Sequence, residues 1–189
     1  MNASPLRIGI AGAGAIGCTL AARLAGNGHT VNVLARGETL TAIRRDGIHL
    51  SDLDGHHHVQ VEASDDAASL GEQDLIFLCT KAQALASLLP QLQPMIGAET
   101  VVIPVINGVP WWYFHGEGGR YDGQRVNAVD PQSTLNQALD LRHVIGCVVF
   151  ITAHCPANAV AESNTPHLMI FGEPDNRLCL LYTSPSPRD

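Results

Sequence analysis

Leu6-Arg7-Ile8-Gly9-Ile10-Ala11-Gly12-Ala13-Gly14-Ala15-Ile16-Gly17 decides the fold of this 189-residue chain. Leu6, Ile8 and Ile10 form an apolar run of strand length, and Ile16, Leu20 and Leu24 then recur at helical spacing. A Gly-x-Gly-x-x-Gly string says little by itself in a chain with 18 glycines. Strand, glycine turn and helix in immediate succession are the context in which such a string binds a dinucleotide. Gly12 then permits the tight turn, Gly14 lets a pyrophosphate approach the backbone, and Gly17 lets the helix pack close to the strand. Ala13, Ala15 and Ile16 complete the loop, and the helix N-terminus offers free N–H groups and partial positive charge to the phosphates. Gly26 and Gly28 stop the helix, and residues 29–34 supply the second strand.

The residue ending that second strand chooses between the two nicotinamide dinucleotides. An NAD site has Asp or Glu there to accept from the ribose 2′-hydroxyl, whereas this chain has Leu34-Ala35-Arg36-Gly37. Arg36 is a planar, permanently charged fork suited to a 2′-phosphate, so the expected cofactor is NADP. Glu38 leaves NAD open as the alternative. Arg44 and Arg45, on a short helix expected over 38–46, read as solvated helix charges.

Strand and helix signals keep alternating. Residues 74–79 form an apolar strand followed by Thr80-Lys81, a helix over 82–92 and Pro94; residues 100–106 form the next strand, followed by Asn107-Gly108. The expected fold class is α/β, a Rossmann-type, doubly wound, mostly parallel sheet with helices on both faces. Such sheets bind ligands just outside the carboxyl ends of their strands, which brings Lys81 and Asn107 to the cofactor. Lys81 is also the only lysine among 11 basic residues. One or two short strands are expected over 47–61, with His56, His57 and His58 in a solvated loop; three neighbours in sequence cannot all face one ion from a regular strand, so no metal is expected. Trp111-Trp112-Tyr113-Phe114 reads as a short helix packed on the sheet. A polar helix over 130–141, a strand over 144–152, a turn at Pro156 and strands over 159–162 and 167–171 are expected to extend the sheet. His115, His143, His154 and His167 have no spacing that nominates a catalyst.

Composition points to a soluble, cytoplasmic enzyme piece. Hydrophobic residues make up 46% of the chain, but no run approaches a membrane span and no basic-then-apolar leader precedes the first strand. A net charge of −7 argues against a nucleic-acid partner, which needs clustered Lys and Arg. Five cysteines, an odd number, fit reduced structural thiols. The length suits one domain, expected over 1–177; residues 178–189 read as a non-native tail outside the fold.

The residues Gly12 to Gly17, Arg36, Cys79-Thr80-Lys81-Ala82, Ile106-Asn107-Gly108-Val109-Pro110-Trp111-Trp112-Tyr113-Phe114 and Ile170-Phe171-Gly172-Glu173-Pro174 together resemble the 2-dehydropantoate 2-reductase, or ketopantoate reductase, family. The resemblance spans about residues 6–176. It implies reduction of 2-dehydropantoate to pantoate with NADPH, a step toward pantothenate and coenzyme A. It also implies that Gly12 to Gly17 hold the pyrophosphate, that Arg36 meets the 2′-phosphate, that Lys81 contacts the cofactor, and that Asn107 lies near the nicotinamide ribose and the substrate. Many members carry Lys-Ala-x-Gln, whereas here Ala84 holds the last position and Gln83 precedes it.

In that family an all-helical second domain supplies the catalytic lysine and glutamate. That domain is expected to be absent here, so no catalytic residue is assigned within the chain. Two function classes follow: the cofactor domain of an NADP-dependent reductase of 2-dehydropantoate or another 2-keto acid, or a stand-alone NADP-binding module for sensing or regulation. The sequence leaves the oligomeric state open.

Overall fold

The computed structural model describes residues 4–175. The expected tail, the expected domain end at residue 177 and Cys179 lie outside the described residues.

The chain opens as expected, with β1 (Arg7–Ala11), α1 (Ala15–Gly26), β2 (Thr30–Leu34) and α2 (Gly37–Asp46). A hairpin of β3 (Ile48–Asp52) and β4 (Gly55–Val59) follows, then β5 (Glu62–Ser64), the single turn α3 (Ala67–Leu70) and β6 (Gln73–Leu78). Next come a short α4 (Leu85–Leu88), β7 (Ile96–Pro104) and α5 (Thr134–Ala138); β8 (Gly146–Phe150), β9 (Ala153–Ala157), β10 (Val160–Ser163) and β11 (Leu168–Gly172) close the described fold.

Five strands form a wholly parallel sheet in the order β5-β2-β1-β6-β7. Alternate residues of each strand feed two separate cores. Ile8, Ile10, Val31, Val33, Phe77 and Ile103 face α1 and α2, while Ala11, Leu34, Ile76, Leu78 and Val102 face α3, α4 and Trp111. Burial on both faces explains why these strands read as continuous apolar runs. Asn32 is the polar exception on β2; its Nδ2 donates to Gln73 Oε1 at 2.9 Å, and Gln73 Nε2 donates to the carbonyls of Leu70 and Gly71. Asn32 Nδ2 and both polar atoms of the Gln73 amide thereby find partners, as burial demands.

Several expectations need correction. The strands after residue 144 do not simply extend the parallel sheet. β10 and β9 join the β3–β4 hairpin in a second sheet, ordered β4-β3-β10-β9, and β8 pairs with β11 as a two-stranded ribbon. Isolated parallel bridges, Val102 to Val144 and Val105 to Cys147, link β7 and the residue after it to the segment that enters the ribbon. The second sheet covers the outer side of α1. A helix enclosed between two sheets must be small where it touches both, and α1 buries Gly17, Cys18, Thr19, Leu20, Ala21 and Ala22. Ile16 and Leu24, the residues that signalled the helix, are only partly buried.

His56, His57 and His58 lie in β4 rather than in a loop. His56 Nδ1 meets Ser51 Oγ at 2.8 Å, His57 Nε2 sits 3.0 Å from Asp52, and His58 stacks on His49. Cross-strand partners across the hairpin hold them in the sheet. The helix expected over 82–92 is broken into a 3₁₀ turn, α4 and a second 3₁₀ stretch over 89–95, because Pro90 and Pro94 each lack the N–H that an α-helix requires. α5 is also shorter than expected. Ser133 takes a left-handed φ of 59°, and the Asp130 carboxylate accepts from the N–H groups of Leu135 and Asn136, which ends the helix early on that side. Residues 111–114 form turns, not a helix, although Trp111 packs into the second core as anticipated, with Trp112 edge-on at 4.3 Å. Pro156 belongs to β9, and the chain turns at Asn158 and Ala159 instead, where Ala159 has φ 62°. Among the described residues no helix is long and apolar enough to cross a membrane.

Candidate functional site

Strand order reverses between β1 and β6, since α1 leads the chain from β1 toward β2 on one side and β6 returns on the other. The crevice outside the carboxyl ends of strands at such a reversal is where doubly wound sheets take ligands. A cleft of about 540 Å³ lies there, bordered by Gly12, Ala13 and Gly14, by Leu34 to Arg36 and Thr39, and by Asp65 and Thr80; Ala84, Ser87, Leu88 and Gln91 form its remaining wall.

The glycine loop is built by close contacts. Gly12 adopts φ +107°, and a Cβ there would sit 2.6 Å from Thr80 Cγ2. A Cβ on Gly17 would overlap the Gly12 carbonyl oxygen, so the helix start presses directly on the turn. Gly14 is different: a Cβ there would meet no protein atom within 4 Å, because it faces the open cleft. Gly14 also caps α1 without any side-chain hydrogen bond. The first-turn N–H groups of α1 are therefore free of a side-chain acceptor, the condition under which a helix start receives an anion.

Two further features fit a phosphorylated dinucleotide. Arg36 precedes α2 in extended conformation and is exposed, and its side chain makes no hydrogen bond or ion pair among the described residues. Thr80 Oγ1 is enclosed and has no hydrogen-bond partner among the described residues. A hydroxyl left buried and unpaired costs about 1–3 kcal/mol, which a ligand accepting from it would recover.

Lys81 and Asn107 stand near the strand ends but do not line this cleft. Lys81 precedes the first 3₁₀ turn, and its exposed side chain has no partner among the described residues. Asn107 instead pairs with the backbone of Val149. Thr39, Asp65 and Thr80 were missed by sequence reasoning. The rule that led to Lys81 applies equally to Thr80, one residue earlier, and to Asp65 behind β5. That strand escaped notice because it is only three residues long.

Among the described residues four cysteines, Cys18, Cys79, Cys147 and Cys155, are unbridged. Cys18 donates its thiol to the Ala13 carbonyl at 3.4 Å, beneath the glycine loop. Burial, with a smaller effect of Cys155, pushes the Cys18 thiol up to about 12, and burial pushes Cys147 up to about 11 and Cys79 well above the ordinary thiol range. These thiols stay protonated and are weak nucleophiles. Among the described residues no group of His, Cys, Asp and Glu is arranged to hold a metal ion.

The ketopantoate reductase PanE/ApbA family model matches residues 8–110. A 2-dehydropantoate 2-reductase from Mesorhizobium japonicum is 41% identical over 170 residues, covering 89% of this chain and 52% of that protein. The chain thus spans about half the length of this curated relative. A crystal structure described as a candidate ketopantoate reductase from Ralstonia solanacearum MolK2 superposes with TM-score 0.86 at 43% identity, over 98% of this chain and 55% of that one. A D-mandelate dehydrogenase solved with NADH and anilino(oxo)acetate shares the fold alone, with TM-score 0.71 at 18% identity, over 88% of this chain and 48% of its own. The glycine loop, the cleft beside it and the family match over more than half of the chain lead to one assignment: this chain belongs to the ketopantoate reductase PanE/ApbA family.

Proposed function

We propose that this chain forms the NADPH-binding half of a 2-keto acid reductase that converts 2-dehydropantoate to pantoate. The observation that carries the reading is Arg36, whose guanidinium has no partner among the described residues and shares a cleft with the glycine loop. A fixed cation at the end of the second parallel strand suits a 2′-phosphate and leaves a bare 2′-hydroxyl without its usual carboxylate.

NADPH, when bound, supplies hydride to the substrate's keto carbon. The residues of this chain hold and orient it. Gly12 to Gly17 and the start of α1 receive the pyrophosphate, Arg36 receives the 2′-phosphate, and Thr80 Oγ1 gains an acceptor it otherwise lacks. Lys81, next to Thr80 in sequence but outside the cleft lining, adds positive charge to that end of the sheet and is assigned a cofactor contact. Asn107 keeps one amide hydrogen and one lone pair beyond those given to Val149, enough to meet the nicotinamide ribose and the substrate. A net charge of −7 fits a small-molecule partner better than nucleic acid.

Reduction also needs a proton for the developing alkoxide and a polar cradle for the substrate carboxylate. Among the described residues no lysine or histidine borders the cleft, so we assign both tasks to the part of its relatives' length that this chain does not match. Titration of the 189-residue chain with NADPH and with NADH, followed by nucleotide fluorescence, tests the reading. NADPH is expected to bind about tenfold or more tightly than NADH, the worth of one charge-assisted contact. Oxidation of NADPH on adding 2-dehydropantoate is expected to stay at background. Equal affinities would overturn the cofactor assignment, and turnover would place the proton donor within this chain.

A further inference from the structure

We infer that Asn158, at the turn between β9 and β10, is a positioning residue that sets cofactor preference by holding the Glu38 carboxylate away from the cleft bordered by Arg36. The inference rests on the NADPH reading above and adds a residue to it from a distant part of the chain.

Arg36, Gly37, Glu38 and Thr39 follow one another at the start of α2, yet they do not face one space. Arg36 and Thr39 border the dinucleotide cleft, whereas Glu38 borders a separate depression of about 820 Å³ shared with Asn158. The Asn158 side-chain amide accounts for the division. Its Nδ2 donates to Glu38 Oε2 at 3.4 Å, and its Oδ1 accepts from Thr39 Oγ1 at 2.9 Å. A planar amide engaging two consecutive side chains fixes both directions at once.

The turn that presents Asn158 is itself anchored. Ala159 is buried with φ 62°, and its carbonyl accepts from the His49 N–H at 2.9 Å, so the second sheet holds the amide in place across the start of α2.

Glu38 is the residue whose carboxylate could serve the opposite cofactor. A carboxylate just past the second strand accepts from the 2′-hydroxyl of NAD, and the same group repels a 2′-phosphate and competes for the Arg36 guanidinium. Asn158 removes that competitor without removing the charge from the protein. Releasing one exposed carboxylate near a phosphate is expected to weaken NADPH binding about three- to tenfold at ordinary salt.

Fluorescence titration of the full 189-residue chain tests this through the ratio of NADH to NADPH dissociation constants. Asn158→Ala should lower the ratio about three- to tenfold, with NADH binding unchanged or tighter. Asn158→Asp, which retains the size of the side chain but repels Glu38, should lower it too and guards against a misfolded alanine variant. In a Glu38→Gln background, Asn158→Ala should leave the ratio where Glu38→Gln alone puts it. An unchanged ratio in both single variants, or the same fall with Glu38→Gln present, would overturn the inference. A wild-type chain with no preference for NADPH would instead overturn the parent reading, so the two failures are distinguishable.

Discussion

The side-chain amide of Asn107 pairs with Val149 in both directions: Nδ2 donates to the Val149 carbonyl at 2.9 Å, and Oδ1 accepts from the Val149 N–H at 3.0 Å. The amide imitates a strand residue and ties the chain beyond β7 to the middle of β8, whose other edge is taken by β11. Asn107→Ala leaves two backbone groups of a largely buried residue unpaired, and should cost about 1–3 kcal/mol of stability. Urea denaturation followed by circular dichroism measures it. A loss below about 0.5 kcal/mol would mean that water replaces the pairing.

Gly14 and Gly17 should respond in opposite ways. Gly14→Val introduces a side chain into open space, so the fold should persist while NADPH and NADH both lose binding together. Gly17→Ala forces its Cβ onto the Gly12 carbonyl and should lower the melting temperature by several degrees, the scale of an overpacked core. Thermal melts with and without nucleotide separate the two. Retained affinity in a folded Gly14→Val chain would reduce the loop to a structural turn.

Asp52 gathers the polar side of the second sheet. Its side chain is 2% exposed, with Arg23 Nη1 at 3.3 Å, His57 Nε2 at 3.0 Å and the Asp54 N–H at 3.0 Å. Burial pushes the carboxyl up, but the His57 hydrogen bond, the Asp54 N–H and Arg23 outweigh it and hold the group below the usual carboxylate range. A lowered pKa in the folded state contributes stability that is present above the unfolded value, about 4, and lost as pH falls through the folded value. Asp52→Asn should therefore cost about 1.5–3 kcal/mol at pH 7, and the gap to wild type should narrow near pH 3. A gap of equal size at both values would exclude the charge as its cause.

Thiol chemistry should follow burial. Cys155 is exposed on β9, whereas Cys18 and Cys147 are buried and Cys79 is partly covered. Alkylation with iodoacetamide under native conditions, read by peptide mass spectrometry, should label Cys155 ahead of those three. Early labelling of Cys79 would indicate that the carboxyl end of β6 opens to solvent.

How far the sequence was legible depended on how local each signal was. The start of the chain could be read almost residue by residue, because strand, glycine turn, α1 and β2 are set by neighbours in sequence, and Arg36 stands where that local frame puts it. The second sheet could not be read in this way. Its parallel pairing of β10 with β3 joins residues more than a hundred positions apart, and short strands with polar outer faces carry no mark of which sheet they enter. For the same reason His56 to His58 resembled a loop, since their partners Asp52, Ser51 and His49 are recognisable only once the hairpin is folded. Thr80 was overlooked beside the more conspicuous charge of Lys81. The link from Asn158 to Glu38 spans 120 positions and has no sequence signal at all.

Arg36→Ala tests the central claim most directly, because the side chain is exposed and has no partner to lose among the described residues. Dissociation constants for NADPH and NADH should be measured side by side on the wild-type and variant chains by nucleotide fluorescence. If Arg36 holds the 2′-phosphate, NADPH should weaken by about 1.5–3 kcal/mol, roughly ten- to a hundredfold, while NADH hardly changes. Equal losses for both nucleotides, or none for either, would contradict the assignment of this cleft to NADPH.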